Sequence, residues 1–213
     1  MPSDIFTIGH SSQSGAAFLH RLRRHAITAV ADVRSSPFSR HNPQFNREEL
    51  RGVLQAEGIC YVFLGNQLGG RSGDDWCTVN NRIRYDLLAQ TDSFRTGIAR
   101  VIEGAESFRI ALMCAEKDPL DCHRTILVAR ELTKRGRSVQ HILIDGSLET
   151  HRDAISRLIA QSGLLSQELF RSSEDAINEA YARQEDRIAD DRKGRQSSRE
   201  RSAGRPSCED KNG

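Results

Sequence analysis

Residues 4–34 read DIFTIGHSSQSGAAFLHRLRRHAITAVADVR. An apolar run at the start is followed by a polar joint. Phe18, Leu19, Leu22 and Ala26 then share one helical face, and a second apolar run, TAVADVR, closes the stretch. Two short apolar runs on either side of one amphipathic helix make a strand–helix–strand unit, the building block of a parallel sheet. Polar residues end each run: Gly9, His10 and Ser11 after the first, Asp32 and Arg34 in the second.

The alternation continues outward from this unit. Asn46, with Glu49 three residues on, resembles a capping box opening a helix that buries Leu50, Val53 and Leu54 and stops at Gly58. CYVFLG (60–65) is the third strand, and a Gly-, Asp- and Asn-rich segment runs from there to about Arg84. A helix carrying Phe94, Ile98, Val101 and Ile102 follows. FRIALMCAE (108–116) is a fourth strand, CHRTILVARELTKRG (122–136) a helix ending at Gly136, and SVQHILIDG (138–146) a fifth strand. A last helix starts near Thr150 and uses Ile155, Leu158 and Ile159. The expected fold is α/β: a mostly parallel, five-stranded, Rossmann-like sheet with helices on both faces. Strand order is not legible at this level.

Residues 1–170 read as one domain and 171–213 as a charged tail. The tail's ten basic and ten acidic side chains, with few apolar ones, cannot bury a core. Ile177 and Tyr181 support one short helix over 174–190; residues 191–213 are expected to be disordered, and Cys208 there to be incidental.

The 213 residues carry 31 Lys+Arg against 29 Asp+Glu, so no bulk basic field demands a nucleic acid or a membrane. No apolar run reaches membrane-span length, and the N-terminus enters a strand pattern without a leader-like segment. The expectation is a cytoplasmic protein. Five cysteines without framework spacing are then thiols first, metal ligands or redox centres second, and structural bridges last.

In an open α/β sheet, ligands bind beyond the carboxyl ends of the strands. The strand ends here supply His10 and Ser11, Asp32 and Arg34, Gly69 and Gly70 in the segment after strand three, and Cys114 and Glu116 after strand four. The densest piece is CAEKDPLDCHR (114–124). Cys114 ends a strand, Cys122 opens a helix, and Asp121 is placed to cap it. The helix N-terminus and Arg124 favour an anion and lower a nearby thiol pKa, and His123 stands ready as acid or base. Four readings stay open: a catalytic thiol, a metal site of Cys114, Cys122 and His123 with His10, a reversible Cys114–Cys122 disulfide, and plain packing. Asp121 opposes a thiolate at Cys122, which inclines the first reading toward Cys114.

Taken together, TIGHS (7–11), DVRSSPFSR (32–40), LGG (68–70), LMCAEKDPLDCHR (112–124) and VQHILIDG (139–146) resemble a prokaryotic family catalogued as domain of unknown function 488. The resemblance extends over residues 4–151 and implies a compact α/β domain. Its hallmark residues map onto Cys114, Glu116, Cys122, His123 and Arg124, with His10, Asp32 and Arg34 as companions. The tail lies outside it, and residues 71–81, with Trp76 and Cys77, are less typical. The resemblance supplies no reaction.

The leading functional expectation is an enzyme for an anionic, phosphorylated or nucleotide-like substrate. Cys114 or Cys122 acts as nucleophile or redox thiol and His123 as acid/base. Arg34 and Arg124 clamp the anion, Asp32 orients Arg34 or takes a ribose hydroxyl, and Gly69 and Gly70 admit the ligand to backbone. No cofactor is predicted; zinc or iron suits the alternative of a metal or redox sensor. A third alternative is a nucleic-acid module presenting Arg21, Arg23, Arg24 and His25 from the first helix, near Arg40 and His41.

Overall fold

A computed structural model describes residues 4–71, 75–80, 82–164 and 173–203. In chain order it contains β1 (Ile5–Gly9), α1 (Gly15–Arg24), β2 (Ala29–Asp32), α2 (Arg47–Ala56) and β3 (Cys60–Phe63). Then come α3 (Gly65–Leu68), β4 (Thr78–Val79), β5 (Arg82–Ile83), α4 (Tyr85–Leu88), α5 (Asp92–Gly104) and β6 (Ile110–Cys114). The chain continues through a 3-10 turn (Pro119–Asp121) and a π-helical segment (Arg124–Ala129) into α6 (Arg130–Lys134). It ends with β7 (Val139–Ile142), β8 (Leu148–Thr150), α7 (His151–Gln161) and α8 (Ser173–Ala203).

The main sheet has six strands in the order β3-β2-β6-β1-β7-β8. The first five are mutually parallel, and β8 is antiparallel to β7. Helices cover both faces. Phe18 and Leu22 of α1 and Leu50 and Leu54 of α2 pack with Phe6, Ile8, Val30 and Met113 on one side. Phe94, Ile98, Leu127, Leu132, Leu158 and Tyr181 pack with Ile5, Ala31, Leu112 and Cys114 on the other. The alternation of β6 between these clusters is the two-residue period of a strand buried on both faces.

The α/β class and the parallel sheet are as the sequence predicts, with one strand more than the five expected. The addition, β8, is a three-residue strand folded back by a tight turn at Gly146 (φ +81°), too short to leave a periodic signal. β4 and β5 pair in a small hairpin inside the Gly- and Asp-rich segment. β3 was read as one of the sheet's apolar strands, yet it is an edge strand with Cys60 and Val62 exposed. In α2, Leu50 and Leu54 are buried while Val53 is exposed. Asn46 precedes α2, but its Oδ1 accepts from the Ser39 amide at 2.8 Å, so no side-chain cap forms.

The charged tail begins with α8, which runs well past the short helix expected over 174–190. Ala180, Tyr181 and Ile188 join the core cluster despite the domain edge drawn at residue 170, because they share one helical face, Ile188 lying two turns after Tyr181, between charged neighbours. Residues 204–213, including Cys208, lie outside the described residues, so the disorder expected from 191 onward is not followed to the chain end. No helix among the described residues is long and apolar enough to cross a membrane.

Candidate functional site

β1 and β6 are neighbours in register, with Gly9 opposite Cys114. The chain leaves β1 toward the α1 face and leaves β6 toward the opposite face, so a cleft opens between the two strand ends. The His10 amide donates to the Cys114 carbonyl at 3.0 Å, and the Ser11 amide to the Ala115 carbonyl at 2.8 Å. Ser11 adopts a left-handed backbone (φ +50°) to do so. The close approach requires glycine at position 9, where a Cβ would stand 1.9 Å from the Glu116 carbonyl oxygen.

Two clefts share His10, Asn42, Ala115 and Glu116. The smaller, of about 370 Å³, is lined also by Cys114, His123, Arg34, Ser35, Phe38 and Arg71. The larger, of about 830 Å³, adds Ser11, Lys117, Asp118, Leu143, Glu149 and Arg157.

Cys114, Cys122 and His123 converge. Their sulfur and nitrogen atoms lie within 4.8 Å of one another, and both cysteines are free thiols. His123 Nδ1 is 3.7 Å from each sulfur. Its Nε2 lies 3.0 Å from the Val33 carbonyl, which can only accept, so Nε2 donates there and Nδ1 is the nitrogen turned toward the sulfurs. Cys114 Sγ also donates to Glu116 Oε2 at 3.3 Å. Cys122 is extended (φ −136°, ψ 142°), and its carbonyl accepts from the Thr125 and Ile126 amides. Its sulfur accepts from the Arg124 amide at 3.5 Å. The sulfur thus occupies the capping place that the sequence reading assigns to Asp121. Asp121 instead faces away, toward Gln184 and Arg187 of α8.

The two thiols are pushed apart electrostatically. At Cys122 burial opposes ionisation, but the Cys114 thiol, His123 and Arg124 together hold it well below the ordinary cysteine range. At Cys114 the hydrogen bond to Cys122, then burial and the charges of Cys122 and Glu116, push it well above that range. The opposition to a Cys122 thiolate expected from Asp121 is weakened, since that carboxylate is engaged by Gln184 and Arg187. Burial, with the Cys122 charge, also raises the Glu116 carboxyl. Cys122 is 0 % exposed and does not line either cleft; Cys114 does.

The remaining residues surround this group in other roles. Arg124 is fully buried; its Nη1 donates to the Glu116 carbonyl at 2.7 Å and Nη2 to the Lys117 carbonyl at 3.3 Å. That orientation fixes the loop after β6 and commits both Nη atoms to main-chain carbonyls, while Nε has no hydrogen-bond partner among the described residues. Arg34 is similarly engaged, with Nε and Nη2 on Asp32 at 2.9 and 2.6 Å and Nη2 on the Phe45 carbonyl at 2.9 Å. Asp32 also accepts from the Arg34 amide at 3.1 Å and the Tyr61 hydroxyl at 2.7 Å, so it is saturated within the fold.

His10 stacks on Phe45 at 4.3 Å. Its Nδ1 donates to the Ser11 carbonyl at 2.7 Å and its Nε2 accepts from Arg34 Nη1 at 3.2 Å, which leaves neither nitrogen for a metal. Burial is the largest cause lowering its pKa to about 4. Gly69 and Gly70 do not line either cleft. A Cβ at Gly69 would meet the Gly65 carbonyl oxygen at 2.3 Å and Ser35 Oγ at 2.6 Å, so its closeness is to the protein's own chain.

Three features escaped the sequence reading. Arg21, grouped there with surface basics, is buried; it donates to the Gly9 carbonyl at 2.7 Å and the Leu143 carbonyl at 3.1 Å. Its place on the Phe18–Leu22 face was the available signal. The rest of that group is engaged as well: Arg23 with Glu57, Arg24 with the Asp145 carbonyl, and His25 with the Gly146 carbonyl. Second, Arg157 binds Asp118 and Glu149 beside the larger cleft. Third, a buried polar chain links the sheet to α8: Thr7 Oγ1 to His141 Nδ1 (2.8 Å), His141 Nε2 to His151 Nδ1 (3.2 Å), and His151 Nε2 to the Tyr181 hydroxyl (2.9 Å).

A family model described as Domain of unknown function DUF488 matches residues 14–130, more than half of the chain. No curated protein matches, and no solved structure matches.

Proposed function

The chain belongs to the DUF488 family, whose description names no reaction, and from the site itself we propose a cytoplasmic thiol-dependent enzyme for an anionic, phosphorylated or nucleotide-like small molecule. The observation that carries this reading is one sulfur at a cleft wall with a second behind it. Cys114 meets the cleft, with Glu116 Oε2 at 3.3 Å and His123 Nδ1 at 3.7 Å. Cys114 is the nucleophile. As its sulfur bonds to the electrophilic centre, its proton passes to the Cys122 thiolate, and the leaving group takes a proton from the Glu116 carboxyl. Water then cleaves the adduct: Glu116 takes the water's proton, and Cys114 departs and recovers its own from Cys122. Arg71, His41 and the serines of residues 35–39 at the smaller cleft, with Lys117 at the larger, favour an anionic substrate.

The test is a panel of sugar phosphates and nucleotides offered to wild-type, Cys114→Ser and Cys122→Ser proteins. Binding and turnover are followed by calorimetry and product mass spectrometry. Binding retained with turnover or a covalent adduct lost in Cys114→Ser supports the reading; turnover unchanged in both variants sinks it.

A second reading has its own observation, the convergence of two sulfurs and one imidazole nitrogen within 4.8 Å. Cys114, Cys122 and His123 suit a thiophilic cation such as zinc or iron, with the Val33 carbonyl orienting the imidazole. Such an ion would supply a Lewis acid to the cleft. Metal analysis of protein purified without chelator decides between the two readings. A stoichiometric ion lost on Cys122→Ser favours this one, and metal-free protein with intact reactivity removes it.

A further inference from the structure

Cys122 is wholly buried, yet the segment that delivers it is short and lies near the surface. What holds that segment is not confined to the strands and helices of the matched region. From one side, Arg157 of α7 grips Asp118, whose own carboxylate accepts from the Leu120 amide at 2.8 Å. From the other side comes α8. Gln184 is 3 % exposed; its Nε2 donates to the Leu120 carbonyl at 2.9 Å and lies 3.4 Å from Asp121 Oδ1, which Arg187 also binds. Leu120 and Asp121 are the two residues immediately before Cys122.

Further anchors seat α8 around this point. Tyr181 bonds to His151, and Arg130 lies 4.2 Å over the Tyr181 ring. Glu185 Oε1 accepts from the Tyr85 amide at 2.7 Å, and Arg183 donates to the Ser162 carbonyl at 3.1 Å. A buried amide side chain bonded to a loop carbonyl is a specific device, since packing alone would be served by an apolar residue. α8 lies beyond residue 130, where the family model ends.

We propose that Gln184 is a positioning residue for Cys122, and that α8 closes the thiol site by pinning the Pro119–Asp121 turn. With the Leu120 carbonyl held, Cys122 stays behind Cys114 and out of reach of solvent. When α8 releases it, the turn opens and the sulfur becomes reachable. This rests on the reading of Cys122 as half of the reacting pair, and the test does not require substrate.

The experiment is site-resolved mass spectrometry of iodoacetamide modification at neutral pH, on the reduced full-length chain. Wild type is compared with Gln184→Glu and Gln184→Ala. Gln184→Glu keeps the size of the side chain but sets a carboxyl against the Leu120 carbonyl and Asp121 Oδ1, both acceptors, so the contact that holds the turn becomes repulsive; Gln184→Ala removes it. The expected result is a rise in the Cys122 rate on the order of tenfold in both variants, the signature of easier local opening. Hydrogen exchange of the β1 and β6 amides stays at the wild-type level. An unchanged Cys122 rate in Gln184→Glu overturns the proposal. So does a rise accompanied by equal loss of β1 and β6 protection, because the residue then supports the whole fold. Loss of turnover in Cys114→Ser bears on the catalytic reading alone.

Discussion

Arg124 places its guanidinium 2.7 Å from the carbonyl oxygen of Glu116, eight residues earlier in the chain, and 3.3 Å from that of Lys117. A fully buried cation held by two main-chain carbonyls needs a negative partner nearby, and the Cys122 sulfur is the group whose ionisation it favours. The same side chain therefore shapes the loop and stabilises the charge at its end.

Arg124→Lys is expected to lose the forked grip on the Glu116 and Lys117 carbonyls. It should cost about 2–4 kcal/mol in chemical denaturation, since buried acceptors lose charged donors. A variant with wild-type stability contradicts the assignment.

Gly9→Ala drives a methyl group into the Glu116 carbonyl and against Arg124 Nη1. Backbone cannot yield as a flexible side chain does, so a loss of about 2–3 kcal/mol is expected. Thermal unfolding checks it, and a neutral result shows that the β1–β6 approach is looser than described.

The two thiols are shifted in opposite directions, so Cys122 is the one expected to ionise first. Thiolate absorbance in the far ultraviolet should be present at neutral pH in the wild type. It should persist in Cys114→Ser, whose hydroxyl still donates, and vanish in Cys122→Ser. If it vanishes only in Cys114→Ser, the direction of the two shifts is reversed.

Buried neutral histidines set an acid limit. His10 and His151 are each lowered from 6.5 to about 4, burial being the largest cause. His141 is also held well below its ordinary range, by burial first and then by His151 and Arg124. The unfolded chain takes up these protons first. Stability is thus complete above 6.5 and falls as pH drops toward 4, by about 1.4 kcal/mol per pH unit for each group. Calorimetric Tm measured from neutral pH down to about 5 should decline; a flat profile would falsify the burial of these rings as neutral groups.

The parallel sheet was legible because β1, β2, β6 and β7 are apolar runs that end in polar residues, and because the helices between them repeat at helical spacing. β8 and the β4–β5 hairpin were not, since two or three residues carry no period. At the candidate site, Cys114, Cys122 and His123 of that run do come together, yet the direction in which Asp121 and Arg124 point depends on α8 and on the Glu116 carbonyl, neither of which is adjacent in sequence. Gln184 was hidden more deeply. Its neighbours are charged, and only the fold reveals that its face is the one turned inward.

The π-helical segment at Arg124–Ala129 has a consequence for how such a site arises. A regular helix advances about 100° per residue, and a wide turn accommodates one residue beyond that count. Deleting a residue within 125–129 would rotate Cys122 and His123 away from Cys114 while leaving CAEKDPLDCHR letter for letter intact. The placement of the two sulfurs therefore depends on the helical register downstream of the motif as well as on the motif's own residues.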